Sequence, residues 1–266
     1  TGLVGWWKLN GDATDSSGQG NNGVVTGATS TNSGRWNGAY NFNGINPNFI
    51  NLSDPSVYDF GANNFTVTAW GKLAKIPVPN AGWQNTLISK WNTGASPGTN
   101  EWSLVMGYSA ANDTRPAFTI DNGTTSYIAS STEYLDDNWH FIVGMRNGTS
   151  AYLYVDGVQK GTVSVTDKAV NNAGREVYLG RILQGSTFNG SIDEVRIYNR
   201  SLSPSEIIDL YLSKGLVGYW KMDADQKNTT DTYDSSGYNN HGKITGATLT
   251  NEGRFKEAYK FDGTTS

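Results

Sequence analysis

Trp139-His140-Phe141-Ile142-Val143-Gly144-Met145-Arg146-Asn147-Gly148-Thr149-Ser150-Ala151-Tyr152-Leu153-Tyr154-Val155-Asp156-Gly157-Val158-Gln159-Lys160 contains two runs rich in β-branched and aromatic residues. Asn147-Gly148 separates the runs and Asp156-Gly157 closes the second. Both pairs accept the positive φ that a tight type I′ hairpin demands. The stretch therefore predicts a three-stranded antiparallel meander, with Phe141, Val143, Leu153 and Val155 on its core face. Upstream, Phe65-Thr66-Val67-Thr68-Ala69-Trp70 alternates with period two. Phe65, Val67 and Ala69 take one face of a strand, and Thr66, Thr68 and Trp70 the other. Downstream, Ser203-Pro204-Ser205-Glu206 is a capping box with Pro at the first helical position, opening a short helix through Ile207, Ile208, Leu210 and Tyr211.

Composition agrees with an all-β chain. Of 266 residues, 36% are apolar, 12% aromatic and only 17% charged, and there are 32 glycines. That is enough for one full-sized sandwich and a remainder. The net charge is -4 and no basic run occurs, so nucleic acid has no electrostatic footprint here. The absence of cysteine excludes disulfides and thiolate metal sites but is silent on compartment. No apolar run approaches the roughly 20 residues needed to span a bilayer. Thr1-Gly2-Leu3 has neither a basic nor an apolar leader region, so the stretch is expected to come from something longer. Asn-x-Ser/Thr triplets begin at Asn51, Asn64, Asn112, Asn122, Asn147, Asn189, Asn199 and Asn228. They are glycosylation candidates, although a chain so rich in Asn, Ser and Thr also generates them by chance.

The chain repeats itself. Gly2-Leu3-Val4-Gly5-Trp6-Trp7-Lys8 returns as Gly215-Leu216-Val217-Gly218-Tyr219-Trp220-Lys221, and Asp15-Ser16-Ser17-Gly18 as Asp234-Ser235-Ser236-Gly237. Thr26-Gly27-Ala28-Thr29 returns as Thr245-Gly246-Ala247-Thr248, and Phe42-Asn43-Gly44 as Phe261-Asp262-Gly263. The economical reading is a tandem array with a complete domain over 1–214 and the leading part of a second copy over 215–266. The second copy lacks counterparts of the first copy's middle and closing strands. Leu216, Trp220, Tyr259 and Phe261 are thus expected to be buried if something supplies those strands, and loose otherwise.

Val4 to Leu9, Asp15 to Gly18, Ala39 to Gly44, Phe65 to Trp70, Thr86 to Lys90, Asn138 to His140, Leu153 to Gly157 and Phe188 to Asn199 together resemble the laminin-G-like jelly rolls of the concanavalin A-like lectin/glucanase superfamily. The resemblance implies an antiparallel two-sheet jelly-roll sandwich with one short C-terminal helix. It says little about activity, because one fold hosts lectins, adhesion modules and polysaccharide-active enzymes. It also implies a structural calcium between the N-terminal loop and the closing strand, carried onto Asp15 and Asp193. The residues themselves offer Asp12, Asp15 and Asn21 as hard oxygen ligands within one short segment. Asp15 as a turn cap on backbone amides is the equal alternative.

Chemistry beyond binding has little support in the residues. Glucanases of similar fold carry their carboxylates on a Glu-x-Asp-x-x-Glu strand, which is absent, and the glutamates stand apart. Of the two histidines, His140 sits in the Trp-His strand motif and reads as structural, and His241 lies in the second copy. Sugar rings stack on exposed aromatics, which makes Trp6, Trp70, Trp83, Trp91 and Trp102 the binding candidates. The expectation is a non-catalytic module of a repetitive extracellular or cell-surface protein that binds glycan or neighbouring copies of itself. A lyase or glycosidase, and a filament subunit completed by a neighbour's strands, are the rival readings.

Overall fold

The computed structural model describes residues 2–52, 55–74, 85–91, 101–107, 113–121, 125–165, 175–182, 187–212, 220, 222, 231–234, 240–253 and 257–263. The chain forms two compact units, Thr1–Ile208 and Asp209–Ser266.

Among the described residues, the first unit has fifteen strands: β1 (Leu3–Trp7), β2 (Gly23–Thr26), β3 (Thr29–Trp36), β4 (Gly38–Asn43), β5 (Phe49–Leu52), β6 (Phe65–Leu73), β7 (Thr86–Lys90), β8 (Trp102–Val105), β9 (Ala117–Asp121), β10 (Ser126–Ser130), β11 (His140–Asn147), β12 (Ser150–Val155), β13 (Val158–Ser164), β14 (Val177–Leu179) and β15 (Asn189–Tyr198). A first antiparallel sheet runs β13-β12-β11-β6-β15-β4-β3, with β1 also paired to β15. A second runs β10-β9-β8-β7-β14-β5-β2. The chain switches sheet at β2, β3, β5, β6, β7, β11, β14 and β15, so its two sheets close on each other as an antiparallel sandwich. Trp7, Phe42, Leu52, Phe65, Trp102, Phe118, Ile142 and Ile192 fill the space between them.

The alternation in β6 is as expected, with Phe65, Val67 and Ala69 in the core. In β11 the expected face is wrong. Ile142 pairs with Val155, and Gly144 with Leu153, so the core side of the meander holds Ile142, Leu153 and Val155. Phe141 and Val143 pair with Trp70 and Thr68 on the outer face. Both are nevertheless fully buried. A strand apolar on both sides carries no period-two signal, and here both sides are covered. The first hairpin turn also sits one residue later than expected. Asn147 pairs with Ser150 as the last rung, and Gly148, with φ 58°, takes the first turn position. The second turn is as expected, with Asp156 at φ 50° and Gly157 at φ 81°.

Helix α1 (Pro204–Leu212) opens on the expected capping box. The Ser203 amide donates to Glu206 Oε2 (2.8 Å) and the Glu206 amide donates to Ser203 Oγ (3.2 Å).

In the second unit, β16 (Asp231–Thr232) pairs with β17 (Gly242–Lys243), and β18 (Thr248–Thr250) with β19 (Ala258–Lys260). At several positions its local geometry matches that of the first unit, although β17 pairs with β16 whereas its counterpart β2 pairs with β5. Thr29, Ser30 and Thr31 face Asn41, Tyr40 and Ala39; Thr248, Leu249 and Thr250 face Lys260, Tyr259 and Ala258. Gly27 and Gly246 have φ of 71° and 73°, Gly44 and Gly263 of 73° and 72°, and Leu9 and Met222 of 55° and 59°. Trp7 bridges Asp15 as Trp220 bridges Asp234. The indole N–H of each Trp donates to a backbone carbonyl, that of Asn21 in one case and of Asn240 in the other.

Candidate functional site

The outer face of the first sheet carries a cluster of buried charged side chains. A β-bulge in β15 between Asp193 and Arg196, with Glu194 at φ 50°, turns three charged side chains toward that face. Glu194 is fully buried and accepts from Trp6 Nε1 (2.8 Å) and Arg196 Nη2 (2.7 Å). Asp193 is also fully buried; its Oδ2 accepts from the Trp36 amide (3.2 Å), and among the described residues its Oδ1 has no hydrogen-bond partner of good geometry. Burial pushes the Asp193 carboxyl up to about 7, with the neighbouring Glu194 charge adding to it and backbone N–H donors opposing it. Above these acids, the Arg35 guanidinium lies 4.1 Å from the Trp36 ring and 4.6 Å from the Trp70 ring, and the two rings meet edge to face at 5.8 Å. The end of β3 thus folds over the sheet and covers Trp70 and Phe141.

Beside this cover the same face opens into a polar groove. Lys72 of β6, Ser191 of β15 and Asn41 of β4 are cross-strand neighbours in one row, and Ser191 Oγ donates to Asn41 Oδ1. Asp137 and Asn189 complete the polar lining of a cleft of ≈ 440 Å³. Gly190 shapes its floor: a Cβ there would stand 2.1 Å from the Lys72 carbonyl oxygen, so only glycine lets β15 approach β6 this closely. The groove offers an ammonium, a carboxylate, two amides and a hydroxyl. Its one aromatic, Phe42, is buried. Such a surface matches a ligand dense in hydroxyl groups, which both donate and accept.

The sequence candidates fall differently. Trp102 is in the core and Trp70 is covered by Arg35 and Trp36, so neither ring can receive a sugar. Trp6 is half-buried, with the Lys8 ammonium and the Arg196 guanidinium each 4.6 Å from its ring. Trp91 is half-buried, and Trp83 lies outside the described residues. Of the glycosylation candidates, Asn147 and Asn199 are exposed, Asn51, Asn64 and Asn189 are half-buried, and Asn112, Asn122 and Asn228 lie outside the described residues.

The calcium candidates Asp12, Asp15, Asn21 and Asp193 are each engaged in hydrogen bonds. Asp15 Oδ1 accepts from the Trp6 and Ser17 amides, and Oδ2 from the Asn21 amide and Ser17 Oγ, at 2.8–2.9 Å. Four donors fill the four lone-pair positions of a carboxylate. They hold the Asp15 carboxyl below its ordinary value against the opposing effect of burial. Asp12 caps the Thr14 amide, and the Asn21 side-chain N–H₂ donates to the Val4 carbonyl. Asp15 sits at the edge of β1 away from β15, whereas Asp193 lies beneath Trp36. Among the described residues no group of three acidic or histidine side chains could hold a metal ion.

His140 ties two turns together, its Nδ1 to Asp156 Oδ2 (2.8 Å) and its Nε2 to Asp136 Oδ1 (2.9 Å). Burial alone would lower its basicity, but the two carboxylates outweigh that and raise it. Both ring nitrogens are occupied, which suits a clamp rather than a base.

A laminin-G family model, described as Concanavalin A-like lectin/glucanases superfamily, matches residues 46–208. The chain belongs to this family. This laminin-G-like chain also superposes on solved structures at low identity. It covers 98% of domain 4 of AbnA, a GH43 extracellular arabinanase from Geobacillus stearothermophilus in complex with arabinotriose, with 79% of its own length, at 22% identity and a TM-score of 0.60. It covers 69% of the binding domain of Paraclostridial Mosquitocidal Protein 1 with 100% of its own length, at 16% identity and a TM-score of 0.65. It spans 52% of the botulinum neurotoxin serotype D ligand binding domain in complex with N-acetylneuraminic acid, using 82% of its own length, at 16% identity and a TM-score of 0.59. At these identities the likeness is one of fold.

Of the groove residues only Asn189 was among the sequence candidates, and there as a glycosylation site and not as a sugar contact. They come from three strands and a turn, up to 150 positions apart, and no aromatic marks them. The one available signal was Lys72, which continues the outward-facing series Thr66, Thr68, Trp70 of β6.

Proposed function

We propose that the chain is a non-catalytic carbohydrate-binding module of an extracellular or cell-surface protein, and that the groove of Asn41, Lys72, Asp137, Asn189 and Ser191 seats the glycan. The observation that carries this reading is the groove itself. It is a cleft of ≈ 440 Å³ with donors and acceptors of both charge signs on rigid strands, and ligand pockets usually run to about 300–1,000 Å³. Among the described residues, Lys72 and Asp137 have no ion-pair partner, so both are available to ligand hydroxyls. With one charge of each sign, the groove favours a neutral sugar over a uronate. The arabinotriose and N-acetylneuraminic acid complexes of similarly folded domains support a sugar ligand. The extracellular arabinanase supports an extracellular setting, and no described helix is long and apolar enough to cross a membrane. The buried and hydrogen-bonded state of Asp193 and Glu194 supports a binding rather than a hydrolytic role, since a glycosidase pair must face its substrate.

Titration calorimetry against neutral and acidic oligosaccharides tests this. Lys72→Ala and Asn41→Ala should each weaken the best neutral ligand about tenfold, the loss of one or two hydrogen bonds, and leave the melting temperature in place. Retention of wild-type affinity in both variants would refute the assignment of the groove.

A further inference from the structure

The first unit holds a charged cluster that the groove does not use. The side chain of Lys90, the last residue of β7, is fully buried; its Nζ contacts Asp59 Oδ1 and lies 2.9 Å from Glu101 Oε2. Glu101 is buried to the same degree, whereas the Asp59 side chain keeps 21% exposure. The backbone fixes all three. Lys90 pairs with Trp102 across β7 and β8, and the Glu101 amide donates to the Lys90 carbonyl (3.2 Å). Asp59 follows a 3₁₀ turn over Pro55–Tyr58, and its neighbour Phe60 stacks on Phe65 at 4.5 Å and meets Trp102 at 6.5 Å. An ammonium between two carboxylates is an unfavourable filling for a protein interior, because the ions give up their water. The same three groups are what amide formation between side chains requires: an amine, a carboxyl carbon in contact with it, and a proton carrier beside the nitrogen. Burial pushes the Lys90 amine below the ordinary lysine value, against the opposing Glu101 charge, and so raises the share of neutral, nucleophilic amine.

We infer that Lys90 and Asp59 are a self-modification site, at which an amide bond forms between Lys90 Nζ and the Asp59 carboxyl carbon with Glu101 as proton carrier. Glu101 Oε2 takes a proton from the Lys90 ammonium, and the neutral nitrogen attacks Asp59 Cγ. The Nζ–Cγ bond forms and one Asp59 C–O bond breaks. Of the three ammonium hydrogens one stays on the amide nitrogen, and two leave with the carboxylate oxygen as water, passed to it by Glu101. The positive charge of Lys90 and the negative charge of Asp59 vanish together, and no oxidant or reductant takes part. The exposed edge of Asp59 gives the water its way out. The bond ties the connection between β5 and β6 to the end of β7, across 31 positions of the chain.

The experiment is intact-mass spectrometry of the purified 266-residue chain in denaturant, where an ion pair falls apart and an amide does not, followed by a tryptic map. The expected mass is that of the sequence less one water molecule. The map should show no cleavage after Lys90 and a branched species that joins the peptides of Asp59 and Lys90. Asp59→Ala and Glu101→Gln should both return the full sequence mass. The wild-type measurement stands whether or not these variants fold. A wild-type chain that keeps the full sequence mass after prolonged incubation would overturn the proposal and leave an ion pair only. So would a water loss that maps to a succinimide, at Asp156-Gly157 for example, with Lys90 still cleaved. Water loss in Glu101→Gln at the wild-type rate would overturn the assignment of the proton carrier.

Discussion

Asp193 is fully buried beside Glu194, and its carboxyl is raised from 3.8 to about 7. The unfolded chain gives up this proton first, so the contribution to stability is full below about pH 4 and declines as pH rises to about 7. The whole change amounts to about 4 kcal/mol at most. His140 acts in the same direction: its raised basicity stabilises the fold below its unfolded value of 6.5 and is lost as pH rises through the folded value. Urea unfolding from pH 4.5 to pH 8 should therefore show stability falling with pH. Asp193→Asn should flatten the slope and exceed the wild type at pH 8, because it keeps an acceptor for the Trp36 amide without the buried charge. A wild-type curve that rises over this range would contradict the burial argument. Asp15 works with the opposite sign. Its depressed carboxyl stabilises the fold at pH values above 3.8, and the benefit is lost as pH falls through the folded value. Asp15→Ala leaves the Trp6, Ser17 and Asn21 amides without their acceptor and should cost about 2–4 kcal/mol, read as a lower midpoint in urea. With its oxygens already filled, chelators should leave the melting temperature of the wild type unchanged.

At the scale of elements, Gly190 is the position where β15, β6 and the groove depend on one missing methyl group. Gly190→Ala must displace the Lys72 carbonyl and should cost more than about 3 kcal/mol. By contrast, Ser203→Ala at the helix cap should cost only about 1 kcal/mol, measured by the same urea titration. These elements differ in how far the sequence could reveal them. The capping box and the Asp156-Gly157 turn are local: the residues that define them are also the residues that satisfy them. The face of β11 is not local. Phe141 points outward only because Arg35 and Trp36, a hundred positions earlier, fold over Trp70 to shelter it. The same cover removed Trp70 from the sugar platforms, since no strand periodicity can show that a loop end closes over a face. The groove was hidden for a related reason, its polar residues being ordinary outward strand positions until the register of β4, β15 and β6 lines them up.

Across the whole molecule, the repeat is legible because its turns are encoded in short motifs, and the second unit shows how much those motifs accomplish alone. They set the φ angles and the ladder register but do not bury Phe261 or Trp220. Backbone conformation and core formation are thus separable in this chain, the first local and the second dependent on distant strands. The pairing of β1 with β15 has a mechanical consequence. Leu3 faces Tyr198, so the beginning and the end of the first unit's strand system lie side by side on one antiparallel ladder. A tensile load applied at those two ends pulls the ladder apart from one rung to the next, from Leu3–Tyr198 toward Trp7–Val195, instead of shearing all its bonds at once. Under force the domain yields first at this seam, in the manner of a zipper. The Asn21 side chain on the Val4 carbonyl and then the Asp15 carboxylate on the Trp6 amide are the catches the opening fork meets in turn.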